Sequence, residues 1–293
     1  MAPSSMQLYR RAWTLFRESL QHLHLSPSVQ VVLPLSVNHI AIFVSHLYSQ
    51  GYAPTSIISY SSAIGYVHRV SGWPDPSSDA VIQKLIAGAI KIRPPLPPRL
   101  PITLILLYRI MEGVDAIVPH YYHRLLLKSM FTVAFFGLMR MGEVTVSKHH
   151  QVSLFLSQIT LSSTQIIISI KHFKHNSSLK PVDIPLLRQT NSQICPLYHM
   201  SQYLLVRGFQ PGPLFAFPSN SPVPRAFFAK QLKLLLTFSG MDTSRYKGHS
   251  FRIGGASYLA DMGYTDSQIR LIGRWETNAF IRYIRSTRAL QHF

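Results

Sequence analysis

The sequence predicts a mainly α protein with one small antiparallel β-sheet, arranged as a helical domain followed by a larger mixed one. Three observations lead there. Apolar residues recur at helical spacing through most of both halves. A β-branched run over residues 165–173 is followed, after a turn-like 175–178, by a second extended run over 181–186. The segment PPLPPRLP, residues 94–101, interrupts the pattern. Proline fixes φ and removes a backbone donor, so neither a helix nor a central strand passes through it. It reads as a linker between a helical domain of residues 1–93 and a second domain of residues 102–293, and 47% hydrophobic content supplies both with cores.

In chain order, Met6, Tyr9, Trp13, Phe16, Leu20 and Leu23 alternate spacings of three and four, one face of an amphipathic helix. Val37, Ile40, Phe43, Val44 and Leu47 mark a second helix capped by Ser36 and ended by Gly51. Pro54 suits the first turn of a third helix through Val70, and Asp79 caps a fourth through Ile92. Beyond the linker, residues 101–114 and 121–144 read as helices, and residues 165–173 and 181–186 as the strands of a hairpin. Residues 198–206, 225–238, 251–262 and 266–272 are helical again. Gly263 ends one of these helices, and Thr265 with Gln268 has capping-box spacing for the next.

Charge narrows the partner. Lys and Arg number 29 against 11 Asp and Glu, a net +18, yet only 14% of residues are charged. The excess comes from missing acids, and both parts share it: +5 over residues 1–100 and +13 after. Such a field favours a polyanion, foremost a nucleic acid. Scattered carboxylates leave no paired-carboxylate glycosidase, acidic metal cage or two-metal nuclease. One cysteine, Cys195, excludes an internal disulfide framework and a cysteine zinc site and fits a reducing compartment. The apolar stretch 129–139 is about half of what a bilayer needs, and Arg10, Arg11, Arg17 and Glu18 break any signal-type core, so a soluble protein without a membrane partner is expected.

Four segments carry chemistry. In FFGLMRMGEV, Arg140 follows an apolar run and Glu143 lies one turn later; alone, this is a surface pair. In GHSFRIGG, His249 and Arg252 are three apart and share a helical face. In LIGRWETNAFIRYIR, Thr277 caps a short helix on which Phe280, Tyr283 and Ile284 share a face, with Tyr283 otherwise a half-buried core aromatic. Lys171 and Lys174 lie at the tip of the hairpin, where lysines usually serve solubility.

Together and in this order the segments resemble the tyrosine recombinases, or phage-type integrases. That family's pattern is an arginine in Gly-x-Arg-x-x-Glu, a hairpin lysine, His-x-x-Arg, a His or Trp, and a tyrosine. GLMRMGEV and GRWETNAFIRYIR look most like the eukaryotic mobile-element members, the DIRS-like and Crypton groups. The resemblance implies a helical core-binding domain before a catalytic domain and a site-specific DNA recombinase or integrase working through a 3′-phosphotyrosyl intermediate. It implies Tyr283 as nucleophile, Arg140 and Arg252 on the scissile phosphate, and His249 as base or phosphate donor. Lys174 is preferred over Lys171 as general acid, and Trp275 or Arg274 fills the His/Trp position. Glu143 would brace a catalytic side chain. No metal or other cofactor is needed, because guanidinium forks match phosphate oxygens and the covalent link conserves the bond energy. The implied partner is double-stranded DNA, with self-assembly upon it, in the nucleus if the source is eukaryotic and otherwise in the cytoplasm. Ten residues follow Tyr283, so the C-terminal helix that many relatives exchange is expected to be short or absent. The alternatives are a degenerate or domesticated DNA binder without cleavage and a basic RNA-associated structural protein.

Overall fold

The computed structural model describes residues 3–22, 33–94, 97–147, 153–171 and 180–285. It divides into two compact units, Met1–Pro97 and Pro98–Phe293. The division falls inside the segment read as a linker.

The first unit contains α1 (Pro3–His22), α2 (Val37–Ser49), α3 (Pro54–Val70) and α4 (Ala80–Ile92). Local chemistry sets their starts. The Ser36 side chain accepts from the His39 amide and the Asp79 carboxylate from Val81, and Pro54 occupies the first turn of α3. The core is built from Leu15, Phe16 and Leu20 of α1, Phe43 and Leu47 of α2, Ile57 and Ile64 of α3 and Ile82 of α4. Phe16 meets Phe43 edge-on at 5.5 Å between centroids. Of the expected stripe of α1, Phe16 and Leu20 are buried and Trp13 packs against the core, whereas Met6 is exposed; Ala12 and Leu15 are buried as well. Leu23 lies outside the described residues.

The second unit contains α5 (Leu104–Ile117), α6 (Tyr121–Phe136), α7 (Met141–Val144), α8 (Pro196–Arg207), α9 (Arg225–Phe238), α10 (His249–Asp261) and α11 (Asp266–Ile272). Its sheet has three antiparallel strands in the order β1 (Ile159–Leu161), β2 (Gln165–Ile170), β3 (Val182–Leu187). In β2, Ile166, Ile168 and Ile170 alternate inward; Ile166 pairs with Leu186 and Ile168 with Ile184, so one apolar face is buried. Pro185 is tolerated because β3 is an edge strand. The mainly α architecture with a small antiparallel sheet agrees with expectation; β1 adds a strand too short to read beforehand. The core centres on α6, whose Phe131 stacks on Phe251 of α10 at 5.2 Å and meets Phe228 of α9 edge-on at 5.3 Å.

Two departures position the site. The helix expected through residue 144 stops at Phe136, and α7 starts afresh at Met141. The Met139 amide reaches back to the Ala134 carbonyl, a Schellman-type end with Leu138 at φ +47° where glycine is usual. Likewise α11 ends with the Trp275 amide on the Arg270 carbonyl and Arg274 at φ +55°. Left-handed backbone costs a non-glycine residue about 1–3 kcal/mol, so surrounding contacts hold both turns. In addition, residues 98–102 are strapped onto the second unit. The Leu100 amide donates to Arg245, the Ile102 amide to Ser250, and Ile102 is fully buried. Gly254 permits this approach, since a Cβ there would collide with the Ile102 carbonyl.

Candidate active site

A cavity of about 610 Å³ in the second unit is walled by Arg140 and Gly142 near α7, Arg225 at the start of α9, His249 and Arg252 on α10, and Arg274, Trp275, Glu276, Thr277 and Tyr283 after α11, with Arg99 of the strap. It therefore brings together Arg140, His249, Arg252, Trp275 and Tyr283 from segments far apart in sequence. Lys174 lies outside the described residues. Lys171 follows β2, exposed, and is not among the residues that line the cavity.

Arg252 is the hub of the wall. It is 1% exposed, and its terminal nitrogens donate to the carbonyls of Leu138 and Gly273. These carbonyls belong to the two left-handed turns, so one planar guanidinium clamps the segment leading to Arg140 against the segment leading to Trp275. The Trp275 ring lies over that guanidinium at 4.0 Å, a cation–π contact. Arg252 therefore presents its charge to the cavity from behind Trp275, and two of its five donor hydrogens are committed to the backbone. Burial lowers its pKa to about 9, helped by repulsion from Arg140 and Arg274. It stays cationic at neutral pH.

Glu143 is not a surface residue. Its side chain is 8% exposed and its carboxylate accepts from the Arg140 amide at 2.8 Å, from Arg140 Nη1 at 3.1 Å and from Arg274 Nη2 at 2.7 Å. The surface pair anticipated from spacing alone is thus a buried bridge, because Arg274 arrives from 131 residues away with its side chain 1% exposed. Arg274 Nη1 also donates to the carbonyls of Gly137 and Ile272, while Arg140 Nη2 donates to the Arg274 carbonyl. Arg140 keeps 22% side-chain exposure and faces the cavity with its remaining donors.

Tyr283 follows a single 3-10 turn, Asn278–Arg282, capped as expected by the Thr277 side chain. Its ring lies 5.0 Å from His249 and 5.2 Å from Trp275, above a small core of Leu138, Ala256, Ile269 and Phe280. Buried Ser257 of α10 fastens this stretch: its hydroxyl donates to the Tyr283 carbonyl at 3.2 Å and accepts from the Arg285 amide at 2.9 Å.

His249 stands among positive charges on every side of the cavity. Burial first, then the charges of Arg252, Arg99, Arg140 and Arg225, hold its pKa down at about 4. The ring is neutral at pH 7 and offers one donor and one acceptor nitrogen. Because the unfolded chain binds this proton more readily, His249 contributes stability that is complete above pH 6.5 and is lost as pH falls toward 4. Thermal melts across that window should show the wild type losing stability faster than His249→Gln; parallel curves would contradict the burial of this ring. Among the described residues, no group of three or more His, Cys, Asp or Glu side chains is placed to hold a metal ion.

No family model and no curated protein matches the sequence. Solved structures do match it. A lambda integrase dimer bound to a COC′ core site superposes with a TM-score of 0.65 over 98% of this chain and 73% of that one, at 12% identity. XerH site-specific recombinase bound to difH substrate, in a pre-cleavage complex, gives 0.64 over 98% and 78% of the two chains at 17% identity. The Tn1549 transposon integrase in complex with transposon right end DNA gives 0.62 over 98% of each chain at 12% identity. The chain has the tyrosine recombinase fold.

On this recombinase fold, the two residues left open at the His/Trp position face different ways. Trp275 covers Arg252 and touches Tyr283, whereas the Arg274 side chain turns back into Glu143 and the end of α6. Sequence reasoning missed Arg99, Arg225 and Ser257. Arg99 was hidden in a proline-rich segment and Arg225 at a helix start, and nothing in the spacing marks either. No helix among the described residues is long and apolar enough to cross a membrane.

Proposed function

We propose that the protein is a site-specific DNA recombinase or integrase that breaks and rejoins DNA through a 3′-phosphotyrosyl link. The observation that carries the reading is the shared cavity of Arg140, His249, Arg252, Trp275 and Tyr283 on a recombinase fold. In the proposed step, Tyr283 Oη attacks the scissile phosphorus, the phosphorus–O5′ bond breaks, and the 5′ oxygen takes a proton from the hairpin lysine, Lys174 in preference to Lys171. Neutral His249 accepts the phenol proton or donates to a phosphate oxygen. Arg140 and Arg252 meet the charge that builds on the equatorial oxygens. Trp275 holds Arg252 in line, and Glu143 braces Arg140. A 5′ hydroxyl from a second strand reverses the chemistry, so no nucleotide is consumed.

The helical residues 1–93 are assigned to DNA contacts and residues 102–293 to catalysis, joined by the proline-rich stretch. The matching lambda integrase and Tn1549 structures contain DNA, and a lambda integrase tetramer is bound to a Holliday junction, which supports duplex DNA as partner and assembly upon it. The sequence motifs favour a mobile-element enzyme of the DIRS-like or Crypton type, and hence a nuclear site of action in a eukaryotic host. The test is covalent capture. Incubation with a nicked suicide duplex drawn from the flanks of the source element should trap the protein on the 3′ end at the break. Tight binding with no adduct on a verified substrate would favour the degenerate binder.

A further inference from the structure

The cavity holds more positive charge than one phosphodiester requires. Five arginines line it, against Glu276 on its wall and Glu143 behind, an excess of three positive charges around a neutral histidine. Arg140 and Arg274 are tied to Glu143, and Arg252 to backbone carbonyls. Arg99 and Arg225 are different. Both side chains are exposed, and neither belongs to an ion pair among the described residues.

Their backbones are nevertheless fixed. On one side of Arg99, the Pro98 carbonyl accepts from Arg245 Nη2 at 3.2 Å; on the other, the Leu100 amide donates to the Arg245 carbonyl at 3.1 Å. The Arg225 amide donates to the Val146 carbonyl at 2.8 Å, and the Val146 amide to the Val223 carbonyl at 3.0 Å, which ties the start of α9 to the chain just past α7. Two like charges are thus anchored, one on the strap of residues 98–102 and one at the first residue of α9, and lead into one cavity. An anion held between them would be favoured by both charges, and the depressed pKa of His249 reports both of them close by.

We propose that Arg99 and Arg225 form a second phosphate subsite, which holds a phosphodiester of the DNA strand next to the one that Arg140 and Arg252 bind for cleavage. This subsite rests on the DNA-breaking reading for its substrate, but not for its measurement. Arg99 and Arg225 are positioning residues: they fix where the strand lies, so that Tyr283 meets one phosphorus and not its neighbour.

The experiment is the salt dependence of binding to a fluorescein-labelled DNA duplex without a recognition sequence, carried out on the Tyr283→Phe background so that no cleavage intervenes. Each phosphate contact contributes about 0.9 to the magnitude of the log–log slope. Because the two arginines share one phosphate, the double variant Arg99→Gln with Arg225→Gln should flatten the slope by about 0.9, and each single variant by part of that. Arg99→Lys and Arg225→Lys should restore it, because a lysine keeps the charge that displaces the counterion. Unchanged slopes in the glutamine variants, or lysine variants as flat as the glutamine ones, would overturn the subsite. The two readings fail separately: a wild-type protein that never forms an adduct removes the cleavage, whereas unaltered slopes beside a normal adduct remove only the subsite.

Discussion

Replacing Glu143 with alanine should destabilise the protein by about 3–5 kcal/mol, the range for removing one partner of a buried ion pair. The reason lies in what remains. Arg274, its side chain 1% exposed, would keep a charge with no counter-ion, beside the cations of Arg140 and Arg252. Burial already lowers the pKa of Arg274, and Glu143 is the group that opposes that shift. The backbone amide of Arg140, which donates to the same carboxylate, would lose its partner as well. For a unit of this size the loss corresponds to a fall of roughly 6–20 °C in melting temperature. Glu143→Gln, which keeps an acceptor but not the charge, should fall between. A melting temperature unchanged in Glu143→Ala would mean that the bridge does not hold the turns around Arg140 and Arg274.

Arg252→Ala should lower the rate of strand cleavage by about 10²–10³, or ~3–4 kcal/mol, by analogy with other preorganised donors. The same change frees the Leu138 and Gly273 carbonyls and the face of Trp275, so a structural loss accompanies the chemical one. Arg252→Lys separates them. A lysine keeps a positive charge but lacks the planar fork that spans two carbonyls. It should therefore bind DNA with an unaltered salt slope, melt lower than wild type and cleave almost as poorly as the alanine variant. Single-turnover rates on a verified substrate give the comparison; near wild-type cleavage by Arg252→Lys would show that the clamp is dispensable.

The sequence displayed some of these features and concealed others, for physical reasons. Helices α3 and α11 are legible because their starts carry local signals: Pro54 and the reciprocal Thr265–Gln268 cap. The end of α6 is not, because the apolar residues through Met139 continue a helical pattern. What turns the chain at Leu138 is a guanidinium 114 residues away in sequence. The same distance hides the link from Glu143 to Arg274. The ordered set Arg140, His249, Arg252, Trp275 and Tyr283 is visible as motifs, since each lies in a short local pattern that can be read without knowing what it packs against. Arg99 and Arg225 are visible only as charges until the strap and the start of α9 bring them to one cavity.

The central claim is that Tyr283 is the nucleophile, and the most direct measurement is peptide mapping of the trapped covalent complex beside the Tyr283→Phe variant. That change removes one oxygen and keeps the ring that packs on His249 and Trp275, so folding and DNA binding should persist. The adduct should map to Tyr283 in the wild type and be absent from the variant, while Tyr258→Phe and Tyr264→Phe still form it. An adduct that survives in Tyr283→Phe, or that maps to another tyrosine, would contradict the assignment.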